Sequence, residues 1–278
     1  MGQETVTYLT NIVIGTILAG LMTHYWWRQG KSLTMRYWML SAWVMTAADI
    51  FFALRPELSY WAGKLIPTLL VTVGHAGLLL GAQRTAERPR QQKLLAGLIL
   101  VHSGVLTYFL TLAQPSTLRM VLNGIIWGGL SLASAWCLRR AKPVFWKSPV
   151  APANAFLLHG LFHGARVVLA LLFSMRGWTE ASASLQIIGD LEVSFFMVAL
   201  FVSLLIAHLQ LRNEELNSAH AELETLSGLL PICAWCKKVR GDDGYWQQVE
   251  DYFASRSQIE FTHGMCADCF KVQTMKKD

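Results

Sequence analysis

The sequence predicts an all-α membrane protein: a seven-transmembrane helix bundle followed by a cytoplasmic coiled coil and a small α+β zinc-binding domain. Three observations carry this. The 278-residue chain is 53% hydrophobic and 15% charged, with a mean hydropathy of +0.36. Soluble domains carry about 25% charged residues, so this chain lacks the charge to coat a water-facing surface. Apolar runs of bilayer-spanning length recur over its first three quarters, whereas two Cys-x-x-Cys pairs are confined to the last fifth. Disorder, a collagenous repeat and a disulfide scaffold are excluded, and a soluble enzyme is disfavoured. The expected domains are 1–208, 209–230 and 231–278.

A bilayer-crossing helix needs roughly 17–25 apolar residues. The runs that qualify are Thr7–Trp27, Tyr37–Leu54, Tyr60–Ala82, Leu94–Ala113, Met120–Leu138, Pro152–Phe173 and Ser184–Leu209. They are continuous rather than alternating, which selects helices over a barrel. Their connections are short and punctuated, as at Arg55-Pro56, Gln114-Pro115 and Lys147-Ser148-Pro149. The start lacks a basic leader segment, so the first span is expected to stay. Glycines 15, 20, 74, 77, 128, 129, 160 and 164 suit close helix contacts.

Orientation follows from short-loop basic residues, which gather on the cytoplasmic side. The segments after spans one, three and five hold Arg28, Lys31, Arg36, Arg84, Arg88, Arg90, Lys93, Arg139, Arg140, Lys142 and Lys147. The other side holds Arg55, Lys64, Arg119 and Arg176. The N-terminus is therefore expected in the periplasm and the C-terminus in the cytoplasm. The formal net charge of +6 is largely topological, and nucleic-acid binding is not supported.

Ionisable groups at membrane depth cost at least ~2.5–3.5 kcal/mol each and need partners. Asp49, Arg166, Asp190 and Glu192 fall at similar outward depth on spans two, six and seven. They suit either a ligand, ion or proton site opening outward or an ion-pair network locking those helices together. Asn123 and Asn154 could extend it. His75, His102 and His159 fall in the inner halves of spans three, four and six, with His163 one turn from His159. Inward histidines from different helices could ligate haem b or a metal, or simply hydrogen-bond between helices. His24, beside Tyr25, Trp26 and Trp27, suits the interface. A retinal protein is disfavoured, because span seven offers no lysine for a Schiff base.

Beyond span seven the chain turns polar, and Leu209, Leu216, Leu223 and Leu230 recur at heptad spacing. That stripe suits a parallel homodimeric coiled coil, with Asn213 favouring a defined register. A single amphipathic helix is the alternative. Gly228 and Pro231 are expected to end it.

Cys233-Ala-Trp-Cys236 and Cys266-Ala-Asp-Cys269 flank 29 residues (237–265). Two such knuckles can complete a tetrahedral zinc site, and a piece of about 48 residues needs such a staple to fold. An iron–sulfur cluster or a thiol-redox pair fits the same cysteines. His263 could replace one thiolate or tune the site. Between the pairs, Gly241-Asp-Asp-Gly244 reads as a turn; Trp246, Val249 and Phe253 have helical spacing; Ile259 and Phe261 read as a strand. Cys137 is expected only to pack.

The run from Thr225 through Cys233-Ala-Trp-Cys236-Lys-Lys and Gly244-Tyr-Trp, then His263-Gly-Met-Cys266-Ala-Asp-Cys269, resembles a tail that recurs in bacterial signalling proteins. There it follows PAS, GAF or receiver domains. The resemblance covers roughly the last 50 residues and implies a bacterial source and a signalling context, without an activity. The expected function is an inner-membrane sensor or signal-transduction protein, embedded in membrane lipids, whose zinc module binds a cytoplasmic signalling protein. The alternative is a haem- or metal-binding membrane redox protein using the inner histidines. No catalytic residues are assigned, because no nucleophile–base spacing is recognisable.

Overall fold

The computed structural model describes residues 3–28, 31–112, 116–227, 230–241, 243–256, 261–262 and 264–275; the side chains of 3–5, 179, 182–183 and 223–227 are not described. The chain is about 80% helical. It divides into two compact units, Met1–Asn213 and Glu214–Asp278.

The first unit is built from α1 (Gln3–Arg28), α2 (Leu33–Ala53), α3 (Tyr60–Thr85), α4 (Gln92–Thr111), α5 (Ser116–Leu138), α6 (Pro152–Met175) and the first part of α7 (Thr179–Ser227). The punctuation seen in the sequence sets these limits. Ser32 and Ser59 each accept a hydrogen bond from a backbone N–H of the first turn of α2 and α3, satisfying an otherwise orphaned donor. Pro152 opens α6, where its missing N–H costs nothing. Gly177, at φ +67°, closes α6 as the Trp178 N–H reaches back to the Phe173 carbonyl, a left-handed stop that glycine adopts freely.

Six of these helices are long and apolar enough to cross a bilayer: α1 from Val6, α3, α4, α5, α6 and α7 from Ser184. Their outward faces stay apolar, with Leu100 73% and Phe195 75% exposed. Such contiguous apolar surface is what lipid contact requires. The chain is an all-α membrane protein. α2 matches the others in length but falls short of their apolarity among the described residues. It lies against both α1 and α3 and spends inward positions on Ser41, Thr46 and Asp49, all buried.

The bundle has a layered interior. Met22, Trp38, Leu78, Leu138, Phe156 and Phe201 are fully buried at the end where α1, α3 and α5 finish. The opposite end holds a polar cavity, with histidines between. Five of the expected glycine contacts are real: an added Cβ would strike Thr46 at Gly15, Met45 at Gly74, Ser41 at Gly77, His163 at Gly128 and Leu132 at Gly160. Gly20, Gly129 and Gly164 meet nothing within 4 Å, so they face away from neighbouring helices. Gly81, Gly124 and Gly189 supply close approaches that were not anticipated, against Trp38, Val167 and Arg166.

Cations cover aromatic rings near both ends of the helices. Arg140 and Arg88 lie 3.5 and 4.6 Å from the Trp136 ring, and Lys31 lies 4.5 Å from Trp27. At the other end Lys64 sits 4.2 Å from Tyr60 and Arg176 5.1 Å from Trp178.

The second unit holds the end of α7, then β1 (Val239–Arg240), β2 (Trp246–Gln247), α8 (Val249–Ala254) and α9 (Ala267–Met275). β1 and β2 pair antiparallel through the Gly241–Gly244 turn, where Gly244 takes φ +85°. Trp246 therefore lies in a strand, and helix begins only at Val249; the three-residue spacing to Val249 crosses an element boundary. Phe261 is irregular rather than a strand, and Ile259 lies outside the described residues.

Candidate functional site

The bundle's middle layer is a chain of hydrogen bonds crossing three helices. One turn separates His159 from His163 on α6, so both rings face the same way. The His75 Nδ1 lies 2.9 Å from the Val71 carbonyl oxygen. A carbonyl only accepts, so this nitrogen donates. The His75 Nε2, 3.1 Å from His159 Nε2, then accepts from it. His159 consequently turns an Nδ1 lone pair toward Glu192, whose carboxyl oxygens stand 2.9 and 3.0 Å away. Phe196 stacks on His159 with ring centroids 3.7 Å apart, fixing its plane.

His163 completes the layer. It is 0% exposed, and neither ring nitrogen has a hydrogen-bond partner among the described residues. One ligand atom from each of His159, His163 and Glu192 lies within 4.8 Å of the others, the one such group of three or more among the described residues. Sequence depth placed Glu192 with Arg166 and Asp190; its carboxyl oxygens also reach the histidine layer.

His102 belongs to a separate chain. The Trp127 indole N–H donates to the Thr72 hydroxyl at 2.9 Å, and that hydroxyl meets His102 Nδ1 at 3.0 Å. His102 Nε2 then donates to the Asn123 side-chain oxygen at 3.0 Å. Asn123 thus makes an interhelical hydrogen bond to His102 on α4. Asn154 instead caps its own helix entry, donating to the Ser148 carbonyl at 2.8 Å. His24 is exposed near the end of α1.

The polar cavity encloses about 290 Å³ at the end of the bundle where α2 finishes and α7 begins. Asp49, Arg166 and Asp190 line it, so three of the four expected charged residues do converge. Arg55, Lys64 and Arg119 contribute further cationic lining. Gln186 bridges Arg166 and Asp190. The Arg166 guanidinium donates to the Gln186 oxygen at 2.9 Å, and the Gln186 amide donates to Asp190 at 2.9 Å. Tyr8 donates to the other Asp190 oxygen at 3.2 Å. Gly189 gives the guanidinium room to lie flat against α7. Gln186 and Tyr8 escaped the sequence reading because neither is charged; the four-residue spacing of Gln186 and Asp190 was the available signal. With four cations and two carboxylates, the cavity suits an anionic or zwitterionic guest.

In the second unit each cysteine pair is shaped by its own backbone. The Cys233 N–H donates to the Lys238 carbonyl and the Lys237 N–H returns to Cys233, with Lys237 at φ +60°. This knuckle aims the Cys236 and Trp235 N–H groups at the Cys233 sulfur and holds its pKa below the ordinary thiol value. Cys266 precedes α9 and receives the Cys269 N–H at 3.5 Å, which lowers its pKa in the same way. Both arrangements favour the thiolate that a metal requires. No three cysteine sulfurs come within 4.8 Å of one another, whereas tetrahedral zinc would set four about 3.8 Å apart. His263 lies outside the described residues, and Cys137 is buried in α5 as expected.

No family model matches the chain, and neither a curated protein nor a solved structure matches it. The fold and the clusters define an all-α membrane protein with a buried His/Glu group, a charged cavity and paired cysteines.

Proposed function

We propose that the protein is a bacterial inner-membrane sensor or signal-transduction protein. Its seven-helix bundle responds to a guest or charge change in the polar cavity, and α7 relays that response to the cysteine module. The observation that carries the reading is α7 itself, one uninterrupted helix of 49 residues. At 1.5 Å per residue it measures about 74 Å, more than twice the roughly 30 Å hydrocarbon thickness. It bears Gln186, Asp190 and Glu192 at one end and leads to Cys233 at the other. A helix that leads from the cavity residues toward the cysteine module is an element through which a change at the cavity can act.

In this reading α2 is the seventh span, its lower apolarity reflecting the polar residues it turns inward. Loop charge places the N-terminus in the periplasm and the C-terminus in the cytoplasm, so the cavity faces the periplasm. Leu209 and Leu216, both exposed on α7, form the seam of a parallel homodimer. Cys233, Cys236, Cys266 and Cys269 would hold zinc, which would staple the module for docking a signalling protein. The tail's resemblance to those of bacterial signalling proteins supports the same context. Haem b fits less well than a small ion: His75 and His159 bond directly to each other and leave no slot for a porphyrin between them.

The test uses full-length protein in lipid nanodiscs. Gln186→Ala and Asp190→Asn alter the cavity without touching residues 231–275. Relay through α7 predicts changed amide hydrogen exchange in that module in both variants. Unchanged exchange there, with the bundle still folded, refutes the relay.

A further inference from the structure

We propose that His159, His163 and Glu192 form a binding site for a divalent transition-metal ion, with His75 as the residue that orients His159. The argument begins at the Val71 carbonyl. Because it can only accept, the direction of every hydrogen bond along the chain follows from it for neutral imidazoles. His75 Nε2 must accept from His159 Nε2, and His159 Nδ1 must present a lone pair to the Glu192 carboxyl. A lone pair and a carboxylate at 2.9 Å are two acceptors facing each other. Only a cation, either a proton or a metal ion, satisfies both.

His163 distinguishes these possibilities. A proton shared by His159 and Glu192 leaves both His163 nitrogens without a partner in a fully buried position. Such an orphaned polar group is a standing penalty in a folded interior. A metal ion gives one of the two nitrogens a partner, since one His163 nitrogen already lies within 4.8 Å of the other two ligand atoms. Donors at about 2.0–2.2 Å from an ion stand some 3–4 Å apart, so side-chain rotation within the layer closes the set.

The surroundings fit the same purpose. Metal-bound imidazoles normally donate their second nitrogen to a fixed acceptor, which sets the tautomer; His75 does this for His159. Two imidazoles and one carboxylate suit zinc and its neighbours rather than magnesium or calcium, which prefer all-oxygen shells. Arg166, three residues beyond His163, is engaged by Gln186, which in turn holds Asp190. Three protein ligands leave a coordination position open for water or a small guest. The site shares no residue with the cysteine pairs and does not depend on the relay described above.

The experiment titrates Co2+ into metal-free, full-length protein in detergent, with stoichiometry from metal analysis and geometry from the visible spectrum. Native protein is expected to bind one Co2+ per chain more than Glu192→Gln and His163→Ala, whatever the cysteines hold. The lost equivalent should lack sulfur-to-cobalt charge-transfer absorption. Glu192→Gln keeps the side chain's shape, and its amide can donate to His159 Nδ1, so folding is preserved while the anionic ligand is lost. His75→Ala should weaken the same site by about 10–100-fold. Equal Co2+ stoichiometry in native protein and both ligand variants overturns the proposal.

Discussion

Gly81 on α3 faces the ring of Trp38 on α2, and a Cβ built there would lie 2.9–3.0 Å from three ring carbons. Ordinary carbon contacts are about 3.5–4.0 Å, so Gly81→Ala requires α2 and α3 to separate by roughly half an ångström or more. Trp38 is fully buried and cannot swing aside. Overpacking of this kind costs about 1–3 kcal/mol. Alanine also gains about 1 kcal/mol over glycine in a helix, which masks part of that cost. Gly164→Ala on α6 serves as the reference, since nothing lies within 4 Å of its added Cβ. It receives the propensity gain without the clash. Subtracting the two isolates the α2–α3 contact, measurable by reversible unfolding in mixed micelles followed by circular dichroism. The expected difference is about 1–3 kcal/mol, with Gly81→Ala the less stable. Equal stabilities would refute the tight α2–α3 seam.

The cysteine pairs and the α7 stripe are testable in the same preparation. In metal-free protein, Cys233 and Cys266 should be alkylated half-maximally at a lower pH than a free-thiol peptide, because their thiolates are stabilised; coincident profiles would refute this. One equivalent of zinc should protect all four cysteines and be lost in a Cys233→Ser, Cys266→Ser double variant, whereas iron with sulfide would identify a cluster instead. Leu216→Cys should form disulfide-linked dimers in native membranes, and monomers throughout would remove the coiled coil.

Helix positions were legible because lipid demands long apolar runs and loops demand interruption. Pro152 marks the first residue of α6 in both sequence and structure. Ser32 and Ser59 sharpen boundaries that the apolar runs leave blurred. Side-chain pairing was legible only in part. Asp49, Arg166 and Asp190 converge because charges buried in lipid have few other places to go. Glu192 was placed by depth with Arg166, and its outward position on α7 said nothing of the His159 it also reaches. It lies two positions after Asp190, enough to turn it toward His159 on α6. Neutral partners such as Gln186, Tyr8 and Thr72 left no signature beyond spacing. In the cysteine module, Trp246 has a helical interval to Val249 by coincidence across a strand end.

The ring-and-cation pairs near the helix ends have a consequence for how the bundle floats. Trp136 clasped by Arg88 and Arg140 at one rim, and Tyr60 and Trp178 covered by Lys64 and Arg176 at the other, act as two collars seated at the headgroups. Vertical sliding would submerge one collar while lifting the other. A thinner or thicker bilayer must therefore be met by leaning or by deforming nearby lipid. Buoyancy is pinned at both waterlines, and inclination is the freedom that remains.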